Sequence, residues 1–172
     1  MNKKIRMICI GCLMAAVLLC LWAGGAAAKT FDSVWEYEVQ ADETAMITDY
    51  HGSVTDLVIP SAMGDVPVTA IGDSVFNMKR TLQTVIIPEG VVSLGSKVFS
   101  SCDSLVSIKL PSSLESIGNR TFSNCKGLKS FELPAKLASI GANPFALCDN
   151  LTQITFAGTN EHFEVRDGAL IQ

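Results

Sequence analysis

The sequence predicts a leucine-rich solenoid, with a short parallel β-sheet on its concave face and turns, extended segments or brief 3₁₀ pieces on its convex face. Three observations predict it. Leu82-Gln-Thr-Val85-Ile-Ile87-Pro88, Leu105-Val-Ser-Ile108-Lys-Leu110-Pro111 and Leu128-Lys-Ser-Phe131-Glu-Leu133-Pro134 repeat one pattern at a spacing of 23. Phe76, Phe99, Phe122 and Phe145 keep the same spacing, and so do Ile71, Leu94, Ile117 and Ile140, each followed by a glycine. A period of this length marks a stack of identical units, because no single coil can bury its apolar face until a neighbour lies against it.

Residues 1–28 stand apart from this pattern. Lys3, Lys4 and Arg6 precede an apolar run from Met7 to Ala23, 17 residues long, and Gly24-Gly25-Ala26-Ala27-Ala28 supplies the small residues of a cleavage site. That order reads as a secretory signal peptide cut after Ala28. Set against it is a retained membrane anchor, for which the run is short. A lipoprotein reading fits poorly, because Cys20 follows Val17-Leu18-Leu19 rather than a run of small residues.

Residues 29–53 are expected to cap the array as an N-terminal β-hairpin. Trp35-Glu-Tyr37-Glu-Val39 and Ala45-Met-Ile47-Thr-Asp-Tyr50 alternate as strands do, and their aromatic residues can shield the first coil. Residues 54–157 carry the repeats. The first begins at Val54-Thr-Asp-Leu57-Val-Ile59-Pro60, and 28 residues rather than 23 separate Pro60 from Pro88. The five extra residues fall within 61–68, whose Gly64 and Pro67 predict a bulging loop.

Within each strand the side chains alternate, so Ile108 and Leu110 enter the core while Ser107 and Lys109 face out. The following proline cannot join a ladder and turns the chain. The return segment is too short for a standard helix, and Gly118 within it answers either to a tight bend or to a position where a Cβ would collide with the next coil. Residues 158–172 form a C-terminal cap or the start of a further segment, with a turn expected at Asp167-Gly168.

Charge excludes one class of partner. Without its first 28 residues the chain has 17 acidic and 10 basic side chains, a net of about −7 with no basic patch, so nucleic acid is not expected. Cys102, Cys125 and Cys148 share one column, and three is an odd number for a disulfide framework. They are expected as buried structural thiols, set against one disulfide between neighbours or a metal site. His51 and His162 lie at opposite ends of the array, with no nucleophile near either in the repeat phase. Asp167-Gly168 lacks the alternating oxygen ligands of a calcium loop. No catalytic, cofactor-binding or metal-ligating residue is therefore assigned.

The columns resemble the BspA-type (Treponema pallidum-type) leucine-rich repeats. Leu110-Pro111-Ser-Ser-Leu114-Glu-Ser-Ile117-Gly118-Asn-Arg-Thr121-Phe122-Ser-Asn-Cys125-Lys-Gly-Leu128 matches that unit nearly throughout, with Thr121 in place of the usual Ala. The resemblance spans about residues 54–156, and Ile47-Thr-Asp-Tyr50-His-Gly52 is similar to the segment that leads into such arrays. Two departures, Lys79 in the cysteine column and Pro144 before Phe145, predict that the first and last turns differ in shape. The resemblance implies a secreted or surface-displayed bacterial protein that binds and does not catalyse, some relatives being similar to adhesins for host matrix components.

Repeat arrays commonly bind on the concave face. Here its outward columns are Asp56, Thr84, Ser107, Ser130, Gln153 and Val58, Ile86, Lys109, Glu132, Thr155. The first is small and polar. In the second, Val58 and Ile86 make an apolar spot beside Lys109 and Glu132. The expected function is a secreted or cell-surface module binding a protein, of host or bacterial surface, or a glycan. A structural spacer or a piece of a larger surface protein is the alternative reading, and an enzyme built at residues 61–68 would need converging polar groups in a pocket there. A membrane enters only through export or through the uncleaved anchor.

Overall fold

The computed structural model describes residues 29–166 and 169–171. The expected signal peptide and the turn at Asp167-Gly168 lie outside the described residues.

Three strands open the chain: β1 (Lys29–Phe31), β2 (Trp35–Val39) and β3 (Ala45–Tyr50). They pair antiparallel. On their inner side Trp35, Tyr37, Ile47 and Tyr50 are buried. Trp35 and Tyr50 pack with their ring centroids 4.4 Å apart, and both lie on Phe76, at 6.1 and 5.4 Å. These aromatic side chains cover the first coil, as their alternation predicts.

The repeats build two parallel ladders. On the concave face lie β4 (Asp56–Val58), β7 (Thr84–Ile86), β9 (Ser107–Lys109), β11 (Ser130–Leu133) and β13 (Gln153–Phe156). The register follows the sequence columns, with Leu57 opposite Val85, Val85 opposite Ile108 and Phe131 opposite Ile154. Pro88, Pro111 and Pro134 end these strands and accept turn hydrogen bonds from Val91, Leu114 and Leu137. The ladder is broken into β4-β7-β9 and β11-β13. The break falls at the one aromatic side chain in its column, Phe131, whose ring wedges between Phe122 and Phe145 at 4.7 Å from each.

The convex side is also a sheet. β6 (Val66–Ile71), β8 (Ser93–Leu94), β10 (Ser116–Ile117) and β12 (Ser139–Ile140) pair in parallel, and β3 joins them, so that Ile47, Ile71, Leu94, Ile117 and Ile140 form one continuous column. The cap thus shares a sheet with the array. Among the described residues there is no helix. Between the sheets the phenylalanine column is a stack of near-parallel rings, with centroids 5.0, 5.8 and 5.6 Å apart from Phe76 through Phe99 and Phe122 to Phe145.

The five extra residues of the first coil are not a bulging loop. They fold as a hairpin of β5 (Ala62–Met63) on β6, with Ala62 opposite Pro67 and Met63 opposite Val66. Gly64, at φ +66°, supplies the left-handed residue a tight two-residue turn needs. Met63 is buried, so the insertion adds to the core.

Pro144 does not reshape the last turn. Asn143 and Leu147 have φ of 54° and 61°, as their counterparts Arg120 and Asn124 have 53° and 58°. The carbonyl of Pro144 accepts from Phe122 N–H at 2.9 Å, as that of Thr121 accepts from Phe99 at 2.8 Å. At the far end β14 (Glu164–Arg166) pairs antiparallel with β15 (Ala169–Ile171), and Phe163 is buried against the last coil.

Candidate functional site

The ten residues singled out on the concave face stand in two adjacent columns of the strands. Asp56, Ser107, Ser130, Gln153, Val58, Ile86, Lys109, Glu132 and Thr155 are exposed, and Thr84 is half-buried. Their inward neighbours Leu57, Val85 and Phe131 are buried, whereas Ile108 and Ile154 are half-buried. Alternation along each strand therefore separates core from surface.

The face is uneven in chemistry. Val58 and Ile86 leave 66% and 44% of their surface exposed, and Val106, beside β9, leaves 55%. Burying such side chains against a partner is worth about 1.5–3 kcal/mol each when complete. Thr84 and Thr55 hydroxyls donate to the two oxygens of Asp56, at 2.6 and 2.9 Å. Those hydrogen bonds, Thr84 first, hold the Asp56 carboxyl below its ordinary range. Lys109 and Glu132 hold the same column position on β9 and β11, on either side of the break, and neither enters an ion pair among the described residues. Both side chains are exposed, Lys109 also acting on the Glu89 carboxylate nearby, and an incoming partner meets these charges first.

The three thiols are buried and free. Each donates to the carbonyl of the phenylalanine one coil earlier: Cys102 to Phe76 at 3.2 Å, Cys125 to Phe99 at 3.1 Å, and Cys148 to Phe122 at 3.0 Å. Burial pushes the Cys102 thiol up to about 12. The Cys125 thiol is also raised, by its hydrogen bond with Cys148 and then by burial. Cys102 and Cys125 are thus held neutral, and a neutral, enclosed thiol is a poor nucleophile and a poor metal ligand. The hydrogen bond with Cys125 instead draws the Cys148 thiol down to about 7. In the same column Lys79 reaches the cap instead, donating to Gly52 O at 3.1 Å with its ammonium 5.3 Å from the Tyr50 ring.

One cluster was not visible in the sequence. Glu36 and Asp49 are cross-strand partners on the outer side of the cap, and His51 Nε2 lies 2.8 Å from Glu36 Oε1. The three could each offer a ligand atom within 4.8 Å of the others. Glu36 and His51 satisfy one another by hydrogen bonding, and exposed carboxylates gather in this way without an ion. Only the β2–β3 register unites them, which residue spacing does not reveal. His162 is exposed at the opposite end.

These ladders, with their turns and buried phenylalanines, define a leucine-rich-repeat solenoid. The family described as BspA type leucine rich repeat region matches residues 50–166 in six copies, and the chain belongs to that family. Among solved structures it is similar to a leucine-rich repeat protein from Bacteroides capillosus, 29% identical with a TM-score of 0.69, over 76% of this chain and 99% of that one. It is also similar to the leucine rich repeat protein of T. pallidum, 22% identical with a TM-score of 0.58, over 74% of this chain and 85% of that one. The pneumococcal vaccine antigen PcpA shares the fold at 17% identity and a TM-score of 0.53, over 86% of this chain and 54% of that one. No curated protein matches the chain. By this fold and family the protein is a repeat protein of the protein-binding, non-catalytic kind.

Proposed function

We propose that this protein is exported and works as a binding module at the bacterial surface or beyond it, taking a host or bacterial surface protein, or a glycan, on its concave face. The observation that carries this reading is the exposed pair Val58 and Ile86 beside the unpaired charges of Lys109 and Glu132. Apolar area supplies affinity and the flanking charges supply orientation. The leader-like sequence of residues 1–28 supports export.

The test uses the full-length protein against a panel of immobilised matrix proteins, bacterial surface proteins and glycans. For whichever component binds, Ile86→Ala with Lys109→Ala should weaken affinity by about tenfold or more, the loss expected of one anchor and one charge, while the melting temperature stays unchanged. An unchanged affinity, or no binding across the panel, would remove the concave face from consideration.

A further inference from the structure

The alternation that fills the inner side of the cap also builds its outer side. Trp35 and Tyr37 face the core from β2, and Ile47 and Tyr50 face it from β3. The register slips by one residue at Thr48, so that Ile47 and Tyr50 both turn inward although they are three residues apart. Glu36, Asp49 and His51 therefore fall together on the outer side. Glu36 stands directly opposite Asp49, and pairing continues past the end of β3, where His51 N–H donates to Val34 O at 2.8 Å. Glu36 and Asp49 are half-buried and His51 is exposed.

Two carboxylates set opposite one another across paired strands repel, which weakens the pairing. Among the described residues no lysine or arginine forms an ion pair with either, and the group that meets them is the His51 imidazole, on Glu36. Asp49 Oδ1 accepts from the Tyr50 N–H at 2.7 Å, and Oδ2 has no hydrogen bond among the described residues. Thr48, the neighbour the slip leaves out of register, has its hydroxyl buried without a hydrogen-bond partner. A buried polar atom in that state calls for an ion or an ordered water close by. The cluster thus holds more lone pairs than donors, on a rigid pair of strands.

We propose that Glu36, Asp49 and His51 bind a divalent transition-metal ion of borderline softness, with Zn²⁺ as the type. Their ligand atoms lie within 4.8 Å of one another, and small rotations of these surface side chains bring each to the roughly 2.0–2.2 Å that zinc takes with nitrogen and carboxylate oxygen. The donor set decides the ion. One imidazole with two carboxylates suits zinc, whereas calcium takes about six to eight oxygens and magnesium keeps most of its water. The ion replaces the hydrogen bond between His51 and Glu36, whose proton goes to solvent, and water completes the coordination. Bound there, it ties β2 to β3 next to Gly52, where Lys79 fastens the cap to the first coil. The site shares no residue with the concave face and does not rest on the reading proposed for it.

The test titrates the untagged full-length protein, stripped of metal, with zinc chloride by isothermal calorimetry, and repeats its thermal unfolding with and without zinc. One ion should bind per chain at micromolar zinc, and the melting temperature should rise, as expected of a ligand held by the folded state alone. Loss of a group that merely orients a metal ligand costs about 10–100-fold in affinity, so His51→Ala, and separately Asp49→Asn, should each lose at least about tenfold. Their melting in zinc-free buffer shows that they fold. In nuclear magnetic resonance spectra of the parent, zinc should shift the imidazole signals of His51 and leave those of His162 in place. His162→Ala, and the concave variant Ile86→Ala with Lys109→Ala, should bind like the parent. Absence of binding, or unmoved His51 signals, would overturn the proposal by leaving the cluster a hydrogen-bonded pair. Binding retained in His51→Ala would overturn it by giving the ion to other groups, and equal competition by calcium would reduce the site to an acidic patch.

Discussion

Gly118 shows how little slack separates the coils. A Cβ there would lie 2.5 Å from Gly95 C and 2.6 Å from Ser96 N, backbone atoms that cannot swing aside. Gly118→Ala should cost about 3 kcal/mol or more in denaturant unfolding, at the upper end of overpacking, because two coils must part. The sequence left this glycine between a bend and a collision with the next coil; the contact is instead with the preceding coil, and its φ is not left-handed. The left-handed columns themselves were illegible, since Ser74, Lys97 and Arg120 carry no glycine signal. Lys97 is exposed at φ 56°, a conformation costing an L-residue about 1–2 kcal/mol. Lys97→Gly should therefore hold or slightly raise the melting temperature, although glycine loses more chain entropy on folding. Cys102 gives a pH signature. Its thiol is raised from 9.0 to about 12 by burial, so its contribution is complete below about pH 9 and fades as pH climbs toward 12. The stability gap between the protein and Cys102→Ala should narrow over that window, as read by urea unfolding at stepped pH.

At the scale of elements, the cap and the first coil are joined by a residue that breaks the repeat. Lys79 replaces the column's thiol and spans to Gly52 O and the Tyr50 ring. A charge-assisted hydrogen bond and a partly exposed cation–π contact together amount to about 1–3 kcal/mol. Lys79→Met should cost about that much and should raise exchange in β2 and β3 more than in β11 and β13. The departure was legible as a departure. Its purpose was not, because the partner lies 27 residues away in a segment outside the repeat. The concave strands and their register could be read directly, since Val85, Ile108 and Phe131 keep their phase. The hairpin of β5 on β6 could not, because Gly64 and Pro67 signal a turn without saying that Met63 will fold inward. Nor could the break between β9 and β11, which coincides with the one aromatic ring of the column, at Phe131.

For the whole molecule, stability is a sum of coil interiors and coil junctions, as in any stacked array. The two ends differ. At the N-terminal side Trp35 and Tyr50 cover Phe76 and β3 extends the convex ladder, whereas among the described residues the last coil leaves Phe145 half-buried beside a cavity and the N–H groups of Asn143, Phe145 and Leu147 without acceptors. Opening should therefore begin at the last coil and proceed toward the cap. Phe122 sits between two stacked rings and is fully buried, so Phe122→Ala should cost about 3–5 kcal/mol and lower the cooperative midpoint of the entire array. Phe145 has a ring on one side only of the stack. Phe145→Ala should cost less and act locally, speeding exchange across residues 139–156 while β4, β7 and β9 keep their protection. Residue-resolved exchange on both variants separates the cases. An equal loss of protection along the whole chain in Phe145→Ala would mean that the solenoid opens as one unit, and that its last coil is held as firmly as its interior.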